Sequence, residues 1–175
     1  EKLAIDESNQ RLGGRGQPIE LVLLDDGYDP RRTADSAGKF VAQNVAAMFG
    51  TVGTTQTGAA LKVLTPARVP LIASYTGTPA LRTDEYPLYF TTQANYFDET
   101  TRIIRHLTTV ATGRVAVMYQ DDAFGKSMLP MVQKAAADAG ATVLLAQPMD
   151  ASGNRVLKRD GAAHATASPP LEQEV

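Results

Sequence analysis

The densest cluster of ionisable side chains is Asp25-Asp26-Gly27-Tyr28-Asp29-Pro30. Three carboxylates this close can hold Mg²⁺ or accept a phosphoryl group, with Asp25 and Asp26 as the reacting pair. The same residues also spell a turn, in which Asp and Gly end a strand and Asp29-Pro30 starts a helix. A phosphoacceptor site of the receiver kind further needs a lysine on another strand end, and none can be placed. The second candidate is Gly50-Thr51-Val52-Gly53-Thr54-Thr55. Glycine lets a ligand approach the backbone, and the free N–H groups of a helix start attract an anion. Thr54 and Thr55 add hydroxyls at capping positions. A carboxylate suits this loop, and so does an ordinary capped turn. It is neither a Walker A loop, since no Gly-Lys-Ser/Thr follows, nor a dinucleotide fingerprint.

Two further loops complete the set. Ala73-Ser74-Tyr75-Thr76-Gly77-Thr78-Pro79 offers hydroxyls for a carboxylate and a backbone carbonyl for an ammonium group, or serves as a plain connection. In Tyr119-Gln120-Asp121-Asp122-Ala123-Phe124-Gly125-Lys126, Phe124 either covers an apolar ligand face or packs as a staple at a helix start. Catalysis has little to stand on. The chain has no cysteine and two histidines, His106 and His164, neither near a nucleophile or at metal-ligand spacing. Both read as surface or partly packed residues, and no Gly-x-Ser-x-Gly elbow occurs. Neither a catalytic site, a metal site nor a cofactor is expected.

The elements that must position these loops alternate. Residues 1–10 read as a helix tail stopped by Gly13, Gly14 and Gly16. Ile19–Leu24 is a nearly continuous apolar run, predicting a strand covered on both faces. Helical spacing of Ala34, Ala37, Phe40, Val41 and Val45 follows. Strands are predicted at 45–49, 69–73, 88–91, 114–119 and 142–146. Helices are predicted through 59–63, at 96–110 and at 123–139, the last ended by Gly140. Strand–helix alternation implies right-handed βαβ units: an α/β fold with a parallel sheet and helices on both faces. In such sheets ligands bind beyond the carboxyl ends of the strands, which is where all four loops fall. Residues 150–175 lose the periodicity and read as a divergent tail or linker, with a short helix near Val156-Leu157 as an option.

Composition bounds the partners. A net charge of −2 with scattered Lys and Arg gives no basic field for nucleic acid. No apolar stretch approaches the roughly 20 residues that span a bilayer. Glu1 opens no signal peptide, and the first residues read as the inside of a helix, so the natural beginning is expected upstream.

The four loops, in this order, resemble the branched-chain amino-acid-binding family of ABC-transporter receptors, the type I periplasmic binding proteins. The matching segments are Pro18–Pro30, Phe49–Thr55, Val69–Ile72 with Tyr75–Gly77, and Val115–Lys126. The resemblance implies a two-lobed clamshell in the periplasm that closes on an amino-acid-like solute and presents it to a membrane permease. It implies that Gly53, Thr54 and Thr55 take the ligand carboxylate, that Tyr75, Thr76 and Gly77 add backbone and hydroxyl contacts, and that Phe124 contributes from the second lobe. Residues 1–93 would be most of lobe one and 94–149 the start of lobe two. Family members carry a strand ahead of the first helix seen here, and the rest of lobe two. Lacking these, the chain is expected to bind ligand weakly or not at all and to self-associate. A sensor domain with the same fold is a further option.

Overall fold

The computed structural model describes residues 2–13, 15–110, 113–150 and 152–154. They fall into two compact units, one ending at Glu99 and one starting at Thr100. The divergent tail beyond Asn154, including Val156-Leu157 and His164, lies outside the described residues.

Unit one opens with α1 (Lys2–Leu12), which buries none of its residues. Two i,i+4 ion pairs, Lys2–Asp6 and Arg11–Glu7, decorate it, and Gly13 leaves it in the left-handed region at φ 52°. Helix α2 (Pro30–Ala42) starts as its sequence predicts. Asp29 accepts from the Arg31 amide and Pro30 occupies the first turn, where its missing N–H costs nothing. Strands β1 (Met48–Phe49), β2 (Leu71–Ile72) and β3 (Tyr89–Phe90) form a parallel sheet in the order β1-β2-β3. Helix α3 (Thr54–Leu64) connects the first two. Register puts Met48, Leu71 and Tyr89 on one face. There they pack with Ala37 of α2 and Ala60, Leu61 and Leu64 of α3 as the core. Each fully buried leucine contributes about 2 kcal/mol. Phe49 and Phe90, on the other face, are 54% and 52% exposed.

Unit two takes in most of α4 (Tyr96–Val110), then β4 (Arg114–Gln120), α5 (Ala123–Asp138) and β5 (Thr142–Met149). β4 and β5 pair in parallel, with a register shift between Val115 and Ala116 that leaves Leu144 opposite no residue. Ile104, Ala135 and Ala136 form its core, flanked by Leu107, Val115, Val132 and Val143. The alternation of parallel strands with helices is the α/β class expected from the sequence.

One predicted element needs correcting. Ile19–Leu24 is not a strand: it runs without a ladder, and Leu23 is 67% exposed. A strand exists only where a neighbour accepts and donates along it. Here the backbone of Ile19 is met by a side chain instead. Asn9 Nδ2 donates to the Ile19 carbonyl at 2.9 Å, and the Ile19 amide donates to Asn9 Oδ1 at 2.8 Å. A groove of about 160 Å³ lies between Leu24 and β1, lined also by Thr33 and Thr51. The other unit-one strands are two residues each, shorter than predicted.

Candidate functional site

The loop Asp25–Asp29 resolves as a turn. Asp25 Oδ1 accepts from the Gly27 amide (2.8 Å), Asp26 Oδ1 from the Tyr28 amide (2.9 Å), and Asp26 Oδ2 from the Thr33 hydroxyl (2.6 Å). With Asp29 capping α2, all three carboxylates are engaged within the turn and the start of α2. No group of three or more metal-ligating side chains occurs among the described residues. The geometry therefore gives the phosphoacceptor option no support.

The glycine–threonine turn lies between β1 and α3. Gly53, at φ 102°, is the N-cap of α3 and supplies no capping side chain. The positive end of the helix therefore carries no side-chain oxygen from its own cap, which is the setting an anion needs. The turn is bound to the loop after β2 by backbone. The Gly53 amide donates to the Tyr75 carbonyl at 3.2 Å, and the Tyr75 amide to the Thr51 carbonyl at 2.6 Å. A parallel bridge joins Val52 to Tyr75. The side chains repeat the link: Thr54 Oγ1 and Thr76 Oγ1 lie 2.7 Å apart, both buried. Thus Gly53, Thr54, Tyr75 and Thr76, separated by 22 residues in the chain, form one structure. The Thr54 and Thr76 hydroxyls bond each other, whereas Tyr75 is exposed and Thr55 partly so. Gly77 is buried beneath the chain at 94–96. A Cβ there would overlap the Ala94 carbonyl and come to 2.8 Å from the Tyr96 ring.

Phe124 belongs to unit two, in the first turn of α5. Asp122 caps this helix, accepting from the Gly125 amide at 3.0 Å and from Gln120 Nε2 at 3.0 Å. Any side chain at position 125 would collide with the Gln120 carbonyl, so glycine lets α5 start flush against the end of β4. Lys126 pairs with Asp121 at 2.9 Å. Hydrogen bonding to that carboxylate, then its charge, holds the ammonium above its ordinary pKa. His106 is an exposed residue of α4.

Three further residues tie these loops to their surroundings, and of them only Gln56 lies outside the loops picked out by residue type. Ser74 is fully buried and meets the Tyr89 hydroxyl at 2.7 Å. Gln56, 2% exposed, donates from Nε2 to the Tyr28 carbonyl at 2.8 Å. Tyr28 adopts φ 60°, and its ring edge would lie 3.0 Å from a Cβ at Gly53. A glutamine three residues after a helix-starting glycine is the one signal the sequence offered, since that position favours Gln and Glu.

Comparison with known proteins accords with this arrangement. A family model described as periplasmic binding protein matches residues 1–155. A comparison with curated proteins finds no match. Among solved structures, a substrate-binding periplasmic protein from Ralstonia solanacearum is 29% identical, with a TM-score of 0.79 over 86% of this chain and 43% of its own. An ABC transporter substrate-binding protein from Desulfitobacterium hafniense in complex with Leu is 20% identical, with a TM-score of 0.72 over 83% of this chain and 44% of its own. A solute-binding protein of an ABC transporter from R. palustris in complex with benzoate is 18% identical, with a TM-score of 0.72 over 85% and 43%. The chain thus spans well under half the length of these structures.

Proposed function

The chain belongs to the periplasmic binding protein family, and from that premise we propose that it carries the carboxylate-recognising part of an extracytoplasmic receptor for a small acid. The single observation behind this reading is the Gly53 turn: a helix N-terminus without a capping side chain, locked to the Tyr75 loop by backbone bonds and by the Thr54–Thr76 pair. The backbone at Thr54 and Thr55 receives the carboxylate, while the Gly53 amide stays on the Tyr75 carbonyl and holds the turn. Thr54 and Thr76 keep the two loops in register. Tyr75 lies at the exposed surface, and Gly77 lets the chain at 94–96 pass over the loop.

The solute is an amino acid or a related acid. Leucine and benzoate, bound by the two relatives named above, share only a carboxylate beside an apolar group, and the turn is suited to the shared part. Residues 1–93 would supply most of one lobe and 94–149 the start of a second, with Phe124 closing on the ligand's apolar side. Hinge closure, driven by the ligand's preference for the closed state, would present the solute to a membrane permease in the periplasm without chemical turnover.

Calorimetric titration of this polypeptide with amino acids and small carboxylates tests the reading. A partial site is expected to give weak affinity, near about 1 mM or 4 kcal/mol. Micromolar binding would show that the residues present already make a complete site. Equal heats from leucine and leucinamide would exclude the carboxylate as the recognised group.

A further inference from the structure

We propose that Gln56 is the positioning residue of the carboxylate turn, a side-chain latch between the Asp25–Asp29 loop and Gly53. This rests on reading Gly53–Thr55 as the ligand-bearing turn. Two sides of that turn are held differently. Toward β2 it has backbone bonds to Tyr75. Toward the Asp25–Asp29 loop it has Gln56, whose Nε2 donates to the Tyr28 carbonyl at 2.8 Å.

The placement is costly in ways that an incidental surface glutamine would avoid. Gln56 is 2% exposed, and its Oε1 is buried with no hydrogen-bond partner. A buried amide oxygen without a donor loses free energy relative to water. That oxygen lies where a Cβ of residue 53 would stand, so Gly53 and Gln56 share one space. Gly53 at φ 102° and Tyr28 at φ 60° are both in the left-handed region. The Gln56 amide therefore holds Tyr28, a non-glycine residue in a costly conformation, against the helix that Gly53 starts. Because Gln56 lies in the first turn of α3, its tether also sets the direction of the Thr54 and Thr55 amides.

Native-state hydrogen exchange measured by NMR tests this without ligand. Gln56→Met keeps the volume and removes the donor. It is expected to lower protection at Tyr28, Asp29 and Gly53, whose amides are hydrogen-bonded, at least tenfold, with Leu61 and Leu64 of the same helix unchanged. Gln56→Glu is expected to lose at least as much protection as Gln56→Met above the pKa of the introduced carboxyl, where it is ionised. It should recover wild-type protection as pH falls through the carboxyl's own pKa, which burial raises above the ordinary glutamate value, because the protonated form regains a donor. Asp25, Asp26 and Asp29 in the facing loop are ionisable too, so wild type at each pH is the reference. Unchanged protection in Gln56→Met would overturn the latch and leave Gln56 as filler. Leucine-induced shifts at Thr54 and Thr55 report separately on the ligand reading, which can fail while the latch stands.

Discussion

Thr54 and Thr76 show what the site asks of single residues. Their hydroxyls, 2.7 Å apart and out of solvent, satisfy each other and join two loops. Removing the Thr76 hydroxyl takes away the partner of Thr54, whereas without the Thr54 hydroxyl Thr76 Oγ1 still accepts from the Thr78 amide at 3.3 Å. Thr54→Val and Thr76→Val are each expected to destabilise unit one by about 1–3 kcal/mol. The double variant should cost less than the sum, because both then lose the same bond. Urea unfolding of the four proteins gives the cycle, and strict additivity would mean that the pair is not coupled. Gly53→Ala is expected to be worse for binding than for folding. It forces alanine to φ 102° and into the space of Gln56 Oε1, a strain of at least about 2 kcal/mol placed on the turn itself. Residue types flagged this turn from the sequence, since Gly followed by Thr-Thr is a helix start. They did not flag Gln56, whose burial depends on Tyr28, 28 residues away.

At the scale of elements, legibility followed locality. Helix α4 runs over the predicted residues because its apolar spacing and the Asn95 side chain, which accepts from the Phe97 amide, are local signals. Ile19–Leu24 has the composition of a buried strand, yet a ladder is a property of two segments, and composition reports on one. The start of α5 is legible for the same reason as α4. Asp122→Ala removes its cap and is expected to destabilise unit two by about 1 kcal/mol in chemical unfolding, with unit one unaffected. A pH effect belongs to the turn after β5. Hydrogen bonds from Asn154, backbone first, hold the Asp150 carboxyl below its ordinary pKa. A depressed pKa stabilises the turn above the unfolded value, and that stability is lost as pH falls through the folded one. The Asn154 amide resonance should therefore stay constant from neutral pH down to the usual aspartate range and move only below it.

For the molecule as a whole, each unit has the sheet, the helices and a small core, and each leaves apolar side chains in solvent. Phe49 and Phe90 flank Ile72 in register on the uncovered face of unit one, and Met118 of β4 is 73% exposed. Exposed apolar sheet surface of this kind promotes association. Sedimentation velocity should show concentration-dependent self-association that Phe49→Ser/Phe90→Ser weakens; a monomer at every concentration would contradict it. The family was legible from four ordered loops, because each is a short local pattern. What closes around the ligand was not, because it depends on contacts between distant segments.

The most direct test of the central claim is an amide NMR titration of this polypeptide with leucine and benzoate beside leucinamide and benzamide. Both carboxylates are expected to shift Gly53, Thr54, Thr55 and the Tyr75–Gly77 amides, saturating at about 1 mM, and the amides of these acids to leave them in place. Shifts confined to other residues, or equal responses to the uncharged compounds, would contradict it.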